Sequence, residues 1–269
     1  MSALTFKLRA EPDQRLDLSA LTPDRLAGLS AREINALTIN TTKSVVNVGD
    51  IFRLTMGDPS NIRIVGGSGR FDRVGESMAG GNILVEGDVG ARVCRGMQGG
   101  TVLVKGNAGP WAGTGMSGGS LTIKGNVGDW LGGPLPGEMA GMRGGTVLVE
   151  GRAGKEAGHR MRRGIIVVAR SAGAYAGRSM IAGSLIICSD VGIRPGMMMR
   201  RGTLVLGRPG DSLLPTFSAC GPVELVFTEM LRAFLAEWAP MAARILARPL
   251  KRFAGDHAVG GKAEILTPV

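Results

Sequence analysis

The side chains best suited to chemistry are two pairs of arginines, Arg162–Arg163 and Arg200–Arg201, standing 38 residues apart. A guanidinium is a planar fork of N–H donors that matches the oxygens of a carboxylate or phosphate. Four of them gathered on one surface would hold an anionic group, whereas dispersed they would be a solvated rim. A second set is aromatic: Trp111, Trp130 and Tyr175. Just after Trp130 comes the segment Leu131 to Met139, which carries Pro134 and Pro136. Tryptophan is over-represented among residues that anchor protein partners, so this region reads as a docking point. The plainer alternative is rings packed beneath a loop.

Groups for covalent or metal chemistry are sparse. The two histidines, His159 and His257, have no His, Cys or carboxylate neighbour at ligand spacing. Both read as surface residues. Cys94, Cys188 and Cys220 form no CxxC pair and read as reduced thiols. Neither a G-x-S-x-G elbow nor a phosphate-binding G-x-x-x-x-G-K-[ST] loop is present. The expectation is a chain with no catalytic residue and no metal of its own.

The arginine and tryptophan spacings belong to a repeat. A unit M-x-G/A/R-G-x-Φ-x-Φ-x-G starts at Met78, Met97, Met116, Met142, Met161, Met180 and Met199, with steps of 19 residues and one step of 26. Each unit holds one short strand with two apolar columns. The first runs Ile83, Val102, Leu121, Val147, Ile166, Leu185, Leu204, and the second Val85, Val104, Ile123, Val149, Val168, Ile187, Leu206. A glycine precedes every strand, from Gly81 and Gly100 to Gly202, and this accounts for much of the 44 glycines in 269 residues. Ile62 and Ile64 belong to an earlier, degenerate unit. A 19-residue unit is too short for a strand plus a crossover helix and fits one turn of a stacked solenoid. The expected fold is a mainly β, right-handed parallel β-helix of about seven to eight coils. Stacking at about 4.8 Å per coil puts Arg162 over Arg200, and Arg163 over Arg201, about 10 Å apart. It also puts Trp111 next to Trp130, with Tyr175 at the same repeat position.

The residue between the two columns is apolar as well: Leu84, Leu103, Thr122, Leu148, Val167, Ile186, Val205. Successive strand residues face opposite ways, so both faces of the sheet need cover. After a turn at Gly207 to Asp211, the segment Gly221 to Ala239 reads as a helix of about 28 Å. Its stripe Val226, Val223, Met230, Phe234, Trp238 suits that outer face, with Leu231 and Leu235 widening it. At the other end, residues 1–55 carry a strand at Leu4–Leu8, a helix start at Thr22–Pro23 and a short turn opening at Ala31–Ile34, and read as an end cap. The division expected is 1–55 cap, 56–210 β-helix, 211–269 helix and tail.

The net charge is +10, carried by 25 arginines against 7 lysines. That suits acidic partners, although a compositional preference for arginine accounts for part of it. Aromatic residues are only 4%, too few for a nucleic-acid stacking platform, and no nucleic-acid-binding motif is present. No apolar run reaches membrane length and the first residues lack a leader pattern, so a cytoplasmic location is expected.

The glycine-rich units resemble the C-terminal β-helical domain of glutamate synthase large subunits. With the ending Arg252-Phe253-Ala254-Gly255-Asp256 and Gly260-Gly261-Lys262-Ala263-Glu264-Ile265, the whole chain resembles the C subunit of formylmethanofuran dehydrogenase, Ala263 replacing a glycine. Such subunits occur in tungsten or molybdenum dehydrogenases and in a bacterial formyltransferase/hydrolase complex. The latter moves formyl groups from tetrahydromethanopterin to methylofuran and releases formate. The arginine bias favours the bacterial complex. The resemblance implies that an amidohydrolase-like, metal-dependent hydrolase and a formyltransferase are the partners that carry catalysis, with this chain as scaffold. It also implies that the four arginines meet the acidic tail of methylofuran. A free-standing polysaccharide-cleaving enzyme is the rival reading; the scattered carboxylates disfavour it.

Overall fold

The computed structural model describes residues 2–209 and 213–269. Its centre is a 13-stranded, mostly parallel sheet, with few helices. Each repeat contributes one strand, and neighbours pair in parallel at the repeat spacing. Ile83 lies beside Val102, Val102 beside Leu121, and Leu121 beside Val147. The seven extra residues before Val147 therefore leave the register unchanged. Further on, Ile166, Leu185 and Leu204 continue the same row. A second row of parallel bridges joins Val89, Ala108, Val127, Ala153, Ala172 and Val191. Like residues thus stack on like in two separate rows.

Both apolar columns are sealed, with every member at or below 1% exposure. All seven repeat methionines are fully buried. Their ends explain the glycine column. A Cβ built on Gly119 would stand 2.7 Å from the methyl carbon of Met97, one unit earlier, and 2.8 Å from the Gly100 carbonyl oxygen. The same relation links Met116 to Gly145 and Met142 to Gly164. Methionine, unbranched and adaptable, fills the space that the next unit's glycine leaves open. At φ +76° Gly119 is also left-handed, where a side chain is strained.

The ends are closed by non-repetitive strands. Ala3–Leu8 lies between Phe52–Thr55 and Asp58–Val65, parallel to the latter. The short helix Pro23–Leu26 begins where the sequence indicates, whereas Ala31–Ala36, expected as a short turn, is a helix started by a Ser30/Glu33 capping box. At the far end Lys262–Pro268 pairs in parallel with Arg201–Arg208, then antiparallel to Leu250–Gly255, which pairs with Ser218–Val223. The expected turn at 207–211 starts later, because Gly207 and Arg208 are still strand. Residues 210–212 lie outside the described ones.

The C-terminal helix departs from expectation. Gly221–Val223 is strand, the helix runs Val226–Leu235, and a second helix, Pro240–Leu246, follows. Ten residues span about 15 Å, about half the length expected. The two helices do cover part of the outer column. Leu148, Val167, Ile186 and Val205 form one buried cluster with Leu231, Leu235, Ala242, Ala243, Ile245 and Leu246. Leu84, Leu103 and Thr122 are only half-buried, so the earlier units lack this cover. Of the expected stripe, Val226, Met230 and Phe234 face away from the sheet, the first two at 79% and 68% exposure, while Val223 and Trp238 pack partly against the buried cluster.

Candidate functional site

The four arginines share one edge. Register pairs Arg143 with Arg163, and Arg201 with Lys262. Between them Ile165, Ser184 and Thr203 stand side by side, which sets Arg163 and Arg201 two strands apart on the same row. Arg162, Arg163, Arg200 and Arg201 are all exposed. Among the described residues none of them, nor Arg143 or Lys262, forms an ion pair. Sequence reasoning names four members and misses two. Arg143 follows Met142 as Arg162 follows Met161 and could be found from that offset. Lys262 arrives from the tail and carries no such signal.

The aromatic column is partly as expected. Trp111 and Trp130 stack with ring centroids 4.7 Å apart and planes 10° apart. That separation equals about one strand spacing, so the stack runs along the direction in which the units pile up. Tyr175 does not join it: Glu156 occupies the equivalent place between, and Tyr175 instead meets the Arg178 guanidinium at 5.9 Å. Trp111, Trp130, Glu156 and Tyr175 have left-handed backbones, as do Arg92 and Arg194 at the same repeat position. A bulky side chain there is unusual. Here the conformation recurs in every unit and belongs to the fold rather than to a strained site.

The inserted segment packs onto this column at its base. Leu131 is fully buried and Pro134 is buried, so neither can meet a partner directly. Pro136 is exposed, and Met139 is 73% exposed. Glu138 secures the loop through Arg95 at 3.1 Å and the Leu135 amide at 3.0 Å. His159 lies against the loop base near Gly133 rather than on the open surface. Its Nδ1 is 3.2 Å from Glu156, which also meets Arg178 at 3.2 Å. Burial lowers the His159 pKa and the positive charges of Arg178 and Arg160 add to this, against Glu156, which raises it. A histidine depressed below its unfolded value of about 6.5 binds protons more readily unfolded. Its share of stability is complete above that value and falls as pH drops through the folded pKa. Replacing His159 with Gln should therefore flatten the loss of melting temperature between about pH 7 and 5; an unchanged slope would refute this.

Among the described residues no group of three or more His, Cys, Asp or Glu is placed to hold a metal ion, and no helix is long and apolar enough to cross a membrane. Cys94 is buried, and burial pushes the half-buried Cys188 thiol up to about 12, so neither is an activated thiolate.

No protein-family model matches the chain. It is 52% identical to the C subunit of the formyltransferase/hydrolase complex Fhc of Methylorubrum extorquens over 264 residues, 98% of this chain and 99% of that one. A shorter likeness, 36% over 86 residues, links it to the C subunit of the molybdenum-containing formylmethanofuran dehydrogenase 1 of Methanosarcina barkeri, covering 30% of this chain and 29% of that one. Among solved structures, a chain in the formyltransferase/hydrolase complex FhcABCD of Methylorubrum extorquens with methylofuran superimposes with a TM-score of 0.94. That likeness is at 44% identity and covers 98% of this chain and 99% of the other.

Proposed function

Because the chain belongs to the C-subunit family of formyltransferase/hydrolase complexes, we propose that it is the non-catalytic scaffold of such a complex. The complex transfers formyl groups from formyl-tetrahydromethanopterin to methylofuran and releases formate. One observation carries the reading: the likeness to the Methylorubrum protein extends over 98% of this chain and 99% of that one. The dehydrogenase alternative is supported over 30–33% of the chain. In this reading the partners are a metal-dependent, amidohydrolase-like hydrolase and a formyltransferase, and the chemistry is theirs.

The finer features follow the same proposal. The units wind as a right-handed parallel β-helix, the hand that parallel crossovers almost always take, over residues 56–210 between an N-terminal cap and a C-terminal helical tail. The arginine column, extended by Arg143 and Lys262, holds the acidic tail of methylofuran. Its charges are unneutralised within the described chain, and carboxylates are their natural complement. Trp111 and Trp130, with Pro136, meet a partner protein of the complex.

The test is co-expression with the sister subunits, tagging this chain. Formation of one assembly that converts formyl carrier to formate is expected; a chain that purifies as a lone stable monomer would overturn the scaffold reading. Within the assembled complex, replacing Arg162, Arg163, Arg200 and Arg201 by Ala should lower methylofuran retention by roughly tenfold or more. Retention equal to wild type would show that the arginine column does not hold the carrier.

A further inference from the structure

The helix Val226–Leu235 is apolar on two sides. Leu231 and Leu235 seal the sheet beneath it, at 5% and 0% exposure. Val226, Phe227, Met230 and Phe234 face outward at 79%, 45%, 68% and 52%. These four recur at i, i+4 and i+3 and form one stripe on the helix. The apolar stripe of a surface helix normally faces the core; here a second one faces outward. The only charged residues among the helix's own positions, Glu229 and Arg232, satisfy each other at 2.7 Å. The stripe is therefore bordered by a neutral pair and has no charge of its own to keep water over it.

The next helix, Pro240–Leu246, packs against this one and carries a further exposed methionine to a basic edge. Met241, 50% exposed, lines a cleft of about 370 Å³ together with Arg152, Arg170 and Arg208. Asp190 offsets Arg208 at 3.7 Å. Arg152 and Arg170 form no ion pair among the described residues. This edge lies at the ends of the strands, after Val149 and Val168, whereas the arginine column described above precedes them.

We propose that the outward face of helix Val226–Leu235, with the Arg152/Arg170 cleft beside Met241, is the docking surface for a partner protein whose contact face has an apolar centre and a carboxylate-bearing edge. An aromatic and methionine centre bordered by arginine is the composition of protein interfaces, and unneutralised guanidinium groups select an acidic counterpart. A second copy of the chain is disfavoured as occupant, since it would bring a surface of a chain with net charge +10 against itself. The inference rests on the chain working inside a complex, and it names a face different from the Trp111/Trp130 region.

The test uses the co-expressed complex. Met230→Glu/Phe234→Glu and, separately, Arg152→Glu/Arg170→Glu should each reduce incorporation of this chain by roughly tenfold or more, with unchanged circular dichroism of the free chain. Lys43→Glu, at an exposed position of the N-terminal region, should incorporate normally. Should the first variant misfold, methionine oxidation of wild type decides: Met230 and Met241 should oxidise roughly tenfold more slowly in the complex than in the free chain. Wild-type assembly with both variants incorporated normally, or with both methionines equally reactive, overturns this proposal alone. A wild-type chain that self-associates through this face, reversed by Met230→Glu, also overturns it. Failure of wild type to assemble at all overturns the scaffold reading instead.

Discussion

Replacing Gly119 by valine is expected to destabilise the chain by about 3–5 kcal/mol, a large part of the 5–15 kcal/mol that holds an ordinary domain together. Two costs add. The left-handed backbone at φ +76° penalises any Cβ by about 1–2 kcal/mol, and more for a branched one. The new carbon then meets the Met97 methyl at 2.7 Å and the Gly100 carbonyl at 2.8 Å, and overpacking of this kind costs about 1–3 kcal/mol. The methionine can yield; the backbone of the preceding unit cannot without opening the pairing of Leu121 with Val102. Gly137 is the control. It is also left-handed, at φ +88°, but a Cβ there meets nothing within 4 Å. Gly137→Ala should cost only the conformational share, about 1–2 kcal/mol. Urea titration of both variants separates the two costs, and equal losses would dispose of the methionine–glycine interlock.

The second large effect is expected at Ile186, which is fully buried between the sheet and the helix pair. Ile186→Asp puts a carboxylate among Val167, Val205, Leu231 and Leu235 with no cation to meet it, a change of about 4 kcal/mol or more. The route of relief is local: the helices lift away and water reaches the charge. Faster proteolysis within residues 226–246 should accompany the loss, with Trp238 emission shifted to the red. Leu103 sits in the same column but on the part the helices do not reach, and is half-buried. Leu103→Asp in the free chain should cost about 1 kcal/mol. If the two aspartates cost the same, the helices are not what shields the column.

Much of this is legible because a stacked repeat writes its contacts at fixed offsets. The strands, the methionine and glycine columns and the Trp111–Trp130 neighbour relation follow from counting. So does the row shared by Arg163 and Arg201, and Arg143 is visible in the same way. The C-terminal segment has no repeat to count. Pro222 suits the first turn of a helix, where proline is tolerated, yet it lies in the outermost strand of the sheet, where proline is equally tolerated. The helix's inward face is ambiguous for a related reason. Val226/Met230/Phe234 and Leu231/Leu235 are both apolar sets at helical spacing, and period alone does not say which of two greasy sides meets the core. The burial of Leu131 and Pro134 depends on where the loop folds back, which the Arg95–Glu138 pair decides and the local sequence does not.

The closing strands have a consequence for how the chain is made. Neighbouring units pair across 19 residues, so each can be added to the last as soon as it leaves the ribosome, by a short-range and therefore fast closure. The two ends are different: Leu4 waits for Ile62, and Leu204 for Ile265. Until the closing strand Lys262–Pro268 emerges, Arg201–Arg208 offers an unpaired edge to any other nascent chain. A messenger truncated after Pro249 should therefore yield not a shorter soluble protein but one that adheres to its neighbours.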